Sequence, residues 1–325
     1  MRETAGAGKE FSKSKITWVT TISTKPPDLY MLGGILKANM PNRITSSISL
    51  TLVLSLAALM GSARAADKKP DEILTKNLDS IGTAEARTAI KSIAVQGALR
   101  FKILVGGFGD STGTWGRLSD QRKSNFVMRF NTDNWRGEQY VFDGNKTSFA
   151  MATAEHQYST FTKLVSGHDF IIREGLLGGE LSSAWALENI EQNHPKIHSI
   201  GHKKIKGQEV EGIEYSSKGG SDMNVKIYFD AETHQHVMTV YSVETVPHNT
   251  QNGINESASQ QQLRYTIEER FSDFKAENGI TLPHHYDLQY TEELQSGSTR
   301  IYDWDMTVEK IETNVGPDPS NFQLK

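Results

Sequence analysis

The sequence predicts an α+β fold, in which two short helices precede a sheet of antiparallel strands. Three observations lead there. Apolar residues recur at helical spacing between Ile73 and Ile81. From Ser92 onward the period changes to two, as in strands with one apolar and one wet face. Turn signals separate those strands. Helices of about 10–15 residues, which would mark a parallel α/β architecture, do not.

The elements follow in chain order. The longest apolar run, Ile48 to Met60, has Arg43 before it and Ala63-Arg64-Ala65 after it. A basic flank, an apolar stretch of about 7–15 residues and an A-x-A site describe a secretory signal peptide cut after Ala65. A membrane span needs about 20 apolar residues, so no stable anchor is expected after cleavage. Met40 directly precedes this signal, and residues 1–39 are polar without a clear period. The expected organisation is an artefactual or unstructured extension over 1–39, a signal peptide over 40–65 and a single domain over 66–325. The expected site of action is the periplasm, with Met40 as the true start.

Ile73, Leu74, Leu78 and Ile81 lie on one helical face. Pro70 and Asp71 suit its first turn and Gly82 its end. Thr83 caps a second helix running through Ala86 and Ile90. Alternation then covers 98–103, 126–130, 225–229, 237–241, 264–268, 286–290 and 304–308. Asp143-Gly144-Asn145 is the strongest hairpin signal. Lys206-Gly207, Asp230-Ala231-Glu232-Thr233 and Asn278-Gly279 are further turns. Two segments break the pattern. Residues 168–187 are apolar and are cut by Gly175, Gly178 and Gly179 into short helical pieces. Residues 247–262 are polar and read as a long flexible loop.

Composition excludes several function classes. The 325 residues contain no cysteine, so disulfides, thiolate metal sites, cysteine nucleophiles and a lipidated-cysteine anchor are all absent. Charged residues make up 23% and hydrophobic residues 37%, with a net charge of −4, as in a folded protein. Residues 66–325 hold 27 basic and 36 acidic residues, a net charge of −9. An acidic chain is poorly suited to nucleic acid, and a monomer is expected.

At this point a resemblance enters. Glu72-Ile73-Leu74, Leu78-Asp79-Ser80-Ile81-Gly82, Ile90-Lys91-Ser92-Ile93 and Gly97 resemble the start of LolA-like proteins, the periplasmic lipoprotein-carrier superfamily. Tyr228-Phe229-Asp230-Ala231-Glu232-Thr233 resembles a middle strand and turn of that superfamily. Phe271-Ser272-Asp273-Phe274 with Asn278-Gly279-Ile280-Thr281-Leu282-Pro283 resembles a later hairpin, and Ile311-Glu312-Thr313-Asn314 with Phe322 the closing strand. The resemblance implies a curved antiparallel half-barrel of about 9–11 strands, covered on its concave side by short helices, that holds acyl chains or other greasy ligands. The chain departs from those carriers in its length and its 247–262 loop. No motif marks the arginine that they place near the cavity mouth.

The candidate cavity lining is Phe130, Tyr140, Phe142, Tyr265, Tyr290, Trp304 and Met306. The candidate lid is Phe170, Ile171, Leu176 and Leu177, in the glycine-cut segment. The alternative for each lining residue is an ordinary closed core.

Catalytic and metal signatures are weak. Gly109-Asp110-Ser111 follows an apolar strand, as in one esterase family, but no Asp-x-x-His supplies the base. His194, His198 and His202 are spaced by four, yet Pro195 interrupts any helix there. Glu155-His156, Glu268-Glu269 and Glu292-Glu293 place neighbours on opposite strand faces and read as wet surface charges. No catalytic residue, metal or cofactor is therefore assigned. The expected function is a non-catalytic carrier of a lipid or lipoprotein acyl chain, with lipid or acylated protein as partner. The alternative is an envelope regulatory or assembly factor gripping a protein partner through the same half-barrel.

Overall fold

Twelve strands form one antiparallel sheet in the order β5-β4-β3-β2-β1-β12-β11-β10-β9-β8-β7-β6. The structure is a computed structural model and describes residues 69–324 apart from 133–134, 154–157, 246–262 and 295–296. The signal peptide, the 1–39 extension and the polar 247–262 segment lie outside the described residues.

Two helices open the described chain, α1 (Pro70–Ile81) and α2 (Ala84–Ala89). Both obey their sequence signals. Pro70 occupies the first turn of α1, and Gly82 ends it. The Thr83 side chain caps α2 by accepting from the Ala86 amide. The first meander is β1 (Ser92–Val105), β2 (Asp110–Asp120), β3 (Lys123–Phe130), β4 (Trp135–Phe142) and β5 (Thr147–Thr153). The second is β6 (Lys196–Ile205), β7 (Gln208–Ser216), β8 (Asn224–Asp230), β9 (His236–Thr245), β10 (Leu263–Glu277), β11 (Ile280–Glu293) and β12 (Thr299–Thr313).

One pairing joins the two meanders. β1 lies against β12, and every other neighbour is sequential. The first meander therefore runs outward from the centre to one edge, and the second runs inward from the other edge. The chain between them crosses from edge to edge. This crossover carries α3 (Thr160–Gly167), α4 (Phe170–Arg173), a 3-10 turn (Gly179–Leu181) and α5 (Ile190–Asn193).

The turns are set by local chemistry. The Asp143 carboxylate accepts from the Asn145 and Lys146 amides at 2.8 and 2.7 Å. Lys206-Gly207 and Asn278-Gly279 hold positive φ at both positions, 49° with 92° and 52° with 89°, as tight hairpins require. Twelve strands exceed the expected count of about 9–11. The surplus lies in strands such as β2, Asp-Ser-Thr-Gly-Thr-Trp-Gly-Arg-Leu-Ser-Asp, whose polar composition hides its period.

The inner face and the crossover form one core. Val95, Leu99, Phe126, Met128, Ile213, Val225, Ile267, Leu288 and Met306 meet Ile73, Phe161, Val165, Ile171, Leu176, Leu181 and Trp185 in it. The outer face is not uniformly wet, as alternation had predicted. Phe322 covers Leu118 and Val141 there, and Val210, Tyr228 and Met238 form a second outer cluster.

Bending the sheet requires close approach at glycine. A Cβ on Gly97 would lie 1.7 Å from the Thr307 carbonyl oxygen and 3.0 Å from Trp115 Nε1. Across this gap the Trp115 indole donates to the Thr307 carbonyl at 3.0 Å, beside a register shift between Gln96 and Gly97. Gly97→Ala is expected to lower stability by about 1–3 kcal/mol. Urea unfolding checks this: the midpoint falls and the slope is unchanged.

Candidate functional site: an aromatic cavity beside a clasped cover

The cover is held by polar groups on the inner face. Glu269 of β10 is fully buried and takes three donors. Gly178 of the cover gives its amide at 2.7 Å, Tyr241 its hydroxyl at 2.6 Å, and Tyr286 its hydroxyl. Arg117 of β2 lies buried nearby, within its field. A Cβ on Gly178 would sit 2.0 Å from Arg117 Nη1, and the residue holds φ 80°. Glycine is thus needed where the cover crosses the guanidinium. Burial pushes the Glu269 carboxyl up and the Arg117 guanidinium down, while three donors and the cation act to keep Glu269 ionised.

Other ties reinforce the clasp. Tyr215 and Ser217 donate to the Glu174 carboxylate at 2.9 and 2.5 Å. Asn77 of α1 donates to Glu180 at 2.9 Å. His236 is buried between Trp185 and Phe271, with ring centroids at 4.8 and 4.5 Å. Burial lowers its pKa to about 3, so it is neutral. Glu138 accepts from Tyr140, whose hydroxyl also meets Thr162 of α3 at 2.8 Å.

Several of these groups correct the sequence reading. Glu269 and Glu292 are buried and not wet, because each shares strand parity with inner apolar residues, Ile267 and Phe271 or Leu288 and Tyr290. Their neighbours Glu268 and Glu293 face outward, as expected of adjacent strand positions. His236, which as a histidine at the start of a strand is expected to face solvent, is 1% exposed and belongs to the core. Parity was the available signal: Arg117 stands between Trp115 and Ser119, both inner. His194 ends α5, and His198 and His202 lie on β6. Among the described residues no group of three His, Asp or Glu converges on one point. Ser111 lies on β2 beside Asp110, which pairs with Arg100 at 2.7 Å.

Burial raises the Glu180 pKa to about 8. The folded state thus keeps a proton that the unfolded chain releases near pH 4.5. Stability from this group is lost as pH rises from about 4.5 to about 8, by up to about 1.4 kcal/mol per pH unit. Glu180→Gln keeps an acceptor for Asn77 without the charge. Its stability advantage over the wild type is expected to grow across that window, as read by denaturant unfolding at a series of pH values.

Beyond the clasp, at the start of α3, a cavity of about 420 Å³ remains. Phe101, Trp135, Phe161, Tyr290, Tyr302 and Trp304 form most of its wall, with Ile103, Met151, Tyr158, Ser159 and Thr160. The rings pack on one another. Phe101 meets Trp135 at 4.8 Å, Phe161 meets Trp304 at 5.1 Å, and Tyr290 meets Tyr302 at 5.8 Å. No Asp, Glu, Lys, Arg or His lines it among the described residues. Trp304 buries its indole N–H without an acceptor among the described residues.

Of the residues named from sequence, Tyr290 and Trp304 line this cavity. Phe130, Tyr140, Phe142 and Met306 are buried in the surrounding core, and Tyr265 is half-buried against it. Phe170, Ile171, Leu176 and Leu177 belong to the crossover and are buried in the core against the sheet. Phe101, Phe161 and Tyr302 were missed, although Phe101 shares strand parity with Leu99 and Tyr302 with Trp304. A second recess, of about 500 Å³, lies under α2. Its wall mixes Arg87, Glu188, Lys91 and Arg122 with Trp185, and Arg87 already pairs with Glu188 at 2.8 Å.

No family model and no curated protein matches the chain. Among solved structures it is similar to a domain described as an outer-membrane lipoprotein-sorting domain from Vibrio parahaemolyticus. That match has 11% identity, covers 77% of this chain and 97% of that one, and has a TM-score of 0.41. A DUF1329 family protein from Desulfovibrio piger is 11% identical over 79% and 98% of the two chains, with a TM-score of 0.43. A LolA superfamily protein from Nitrosomonas europaea is 13% identical over 75% and 94%, with a TM-score of 0.36. Identities of this size concern the course of the chain, and no residue role passes with them.

Proposed function

We propose that this protein is an exported, non-catalytic binding protein that carries a lipid or acyl chain in the aromatic cavity. The observation that carries this reading is the 420 Å³ space walled by seven aromatic residues and free of Asp, Glu, Lys, Arg and His among the described residues. Its volume falls in the range of roughly 300–1,000 Å³ typical of small-molecule sites. Such a wall suits an apolar tail and leaves a charged head in water. The signal-peptide pattern over 40–65 supports action in the periplasm.

Magnitudes set the ligand. Each methylene removed from water contributes roughly 0.8 kcal/mol, against an association cost of about 4–15 kcal/mol. Short chains therefore bind poorly, and longer ones gain about fourfold in affinity per methylene until the cavity is full. A protein partner adding a strand is disfavoured at the β6 edge, which carries Lys196, Lys203, Lys204 and a bulge between Ser199 and Gly201.

A series of linear primary alcohols, followed by the fluorescence of Trp135 and Trp304, tests the reading. The expected result is a steep rise of affinity with chain length followed by a plateau. No binding, or affinity independent of length, would contradict it.

A further inference from the structure

We infer that the β1–β2 hairpin tip, beside the cavity, is a docking element that inserts into the surface of a neutral lipid bilayer. The inference rests on the reading of the cavity as a lipid site and adds how that lipid enters. Large hydrophobic side chains exposed among the described residues are four: Leu104, Val105, Phe108 and Tyr158. Tyr158 lines the cavity, and the other three follow Ile103, a lining residue, within five positions of the chain. Phe108 is 104% exposed, so its ring packs against none of the described residues. It stands in the turn between β1 and β2, flanked by Gly107 and Gly109.

The tip is continuous with the cavity wall. Ile103, a lining residue, accompanies the turn: its amide donates to the Gly109 carbonyl at 2.9 Å. Its side chain would lie within 3.3 Å of a Cβ on Gly107 and 3.0 Å of one on Gly109. Tyr158 is both exposed and cavity-lining. An acyl chain leaving a bilayer at Phe108 thus meets Ile103 and the aromatic wall without crossing open water.

Shape and charge favour a bilayer over a protein. A projecting hairpin is a knob and not a groove. A fully exposed aromatic offers roughly 150–250 Å². The other three side chains are about half exposed, and the set falls well short of the about 800 Å² per partner of a stable protein interface. Arg100, Lys102 and Arg300 flank the turn, and Asp110, Asp303 and Asp305 lie beside them. Local charge is therefore balanced, which predicts apolar insertion with weak salt dependence and no need for anionic lipid.

The cysteine-free sequence allows a site-specific test on the full chain. Phe108→Cys and, as control, Lys218→Cys in the exposed β7–β8 turn are each labelled with a polarity-sensitive dye. Each is then mixed with phosphatidylcholine vesicles in low and high salt. The expected result is a blue shift and at least a twofold gain in emission at 108, alike in both salts, with no change at 218. No response at 108, an equal response at both sites, or a response abolished by salt overturns the proposal. Uptake of a long-chain primary alcohol from vesicle-free solution by Phe108→Ser is expected to equal the wild type. Absence of that uptake in the wild type overturns the cavity reading, while the vesicle arms judge the tip separately.

Discussion

The hydrogen bonds to the Glu269 carboxylate are the point where sheet and cover meet. A buried charge is costly to remove from water and persists only when donors and counter-charge surround it. Here Tyr241 and Tyr286 come from the sheet and Gly178 from the cover, while Arg117 supplies the field. Apolar packing alone would let the crossover slide over a greasy surface. A carboxylate with directional donors gives that contact one geometry. The same contact leaves Gly178 no space for a side chain.

That fixed point divides the cover. From Glu174 to Trp185 the crossover is tied to Tyr215, Ser217, Glu269 and Ser119, and to Asn77 through Glu180. Around the start of α3 the cover meets the sheet mainly through rings, Phe161 against Tyr290 and Trp304. Directional bonds close one end, and aromatic contact surrounds most of the space at the other. The directional ties near the cavity are those of Tyr140 with Thr162 and of Tyr290 to Glu292. The exposed hairpin of β1 and β2 adjoins that same end.

Much of the fold was legible because its signals are local. Pro70, Gly82 and Thr83 bound their helices, and Lys206-Gly207 and Asn278-Gly279 turn their hairpins, through backbone preferences that neighbours barely alter. The edge-to-edge crossover and the β1–β12 pairing were not legible, since periodicity reports faces and not partners. Depth was equally hidden. Tyr140 and Tyr290 share the inner face, yet Tyr140 is packed between Phe126 and Phe161 while Tyr290 borders open space. The buried acids were within reach and were missed. Glu269 alternates in step with Ile267 and Phe271, and parity outweighs the usual preference of a carboxylate for water when donors stand opposite.

The central claim is that the aromatic space holds a lipid-like guest. Native mass spectrometry of the protein purified from its own cells without detergent tests this most directly. The account predicts added mass that solvent extraction releases as an acyl-bearing compound. A bare protein mass that takes up no lipid when lipids are offered would contradict it, and would make the rings around Trp304 an ordinary core.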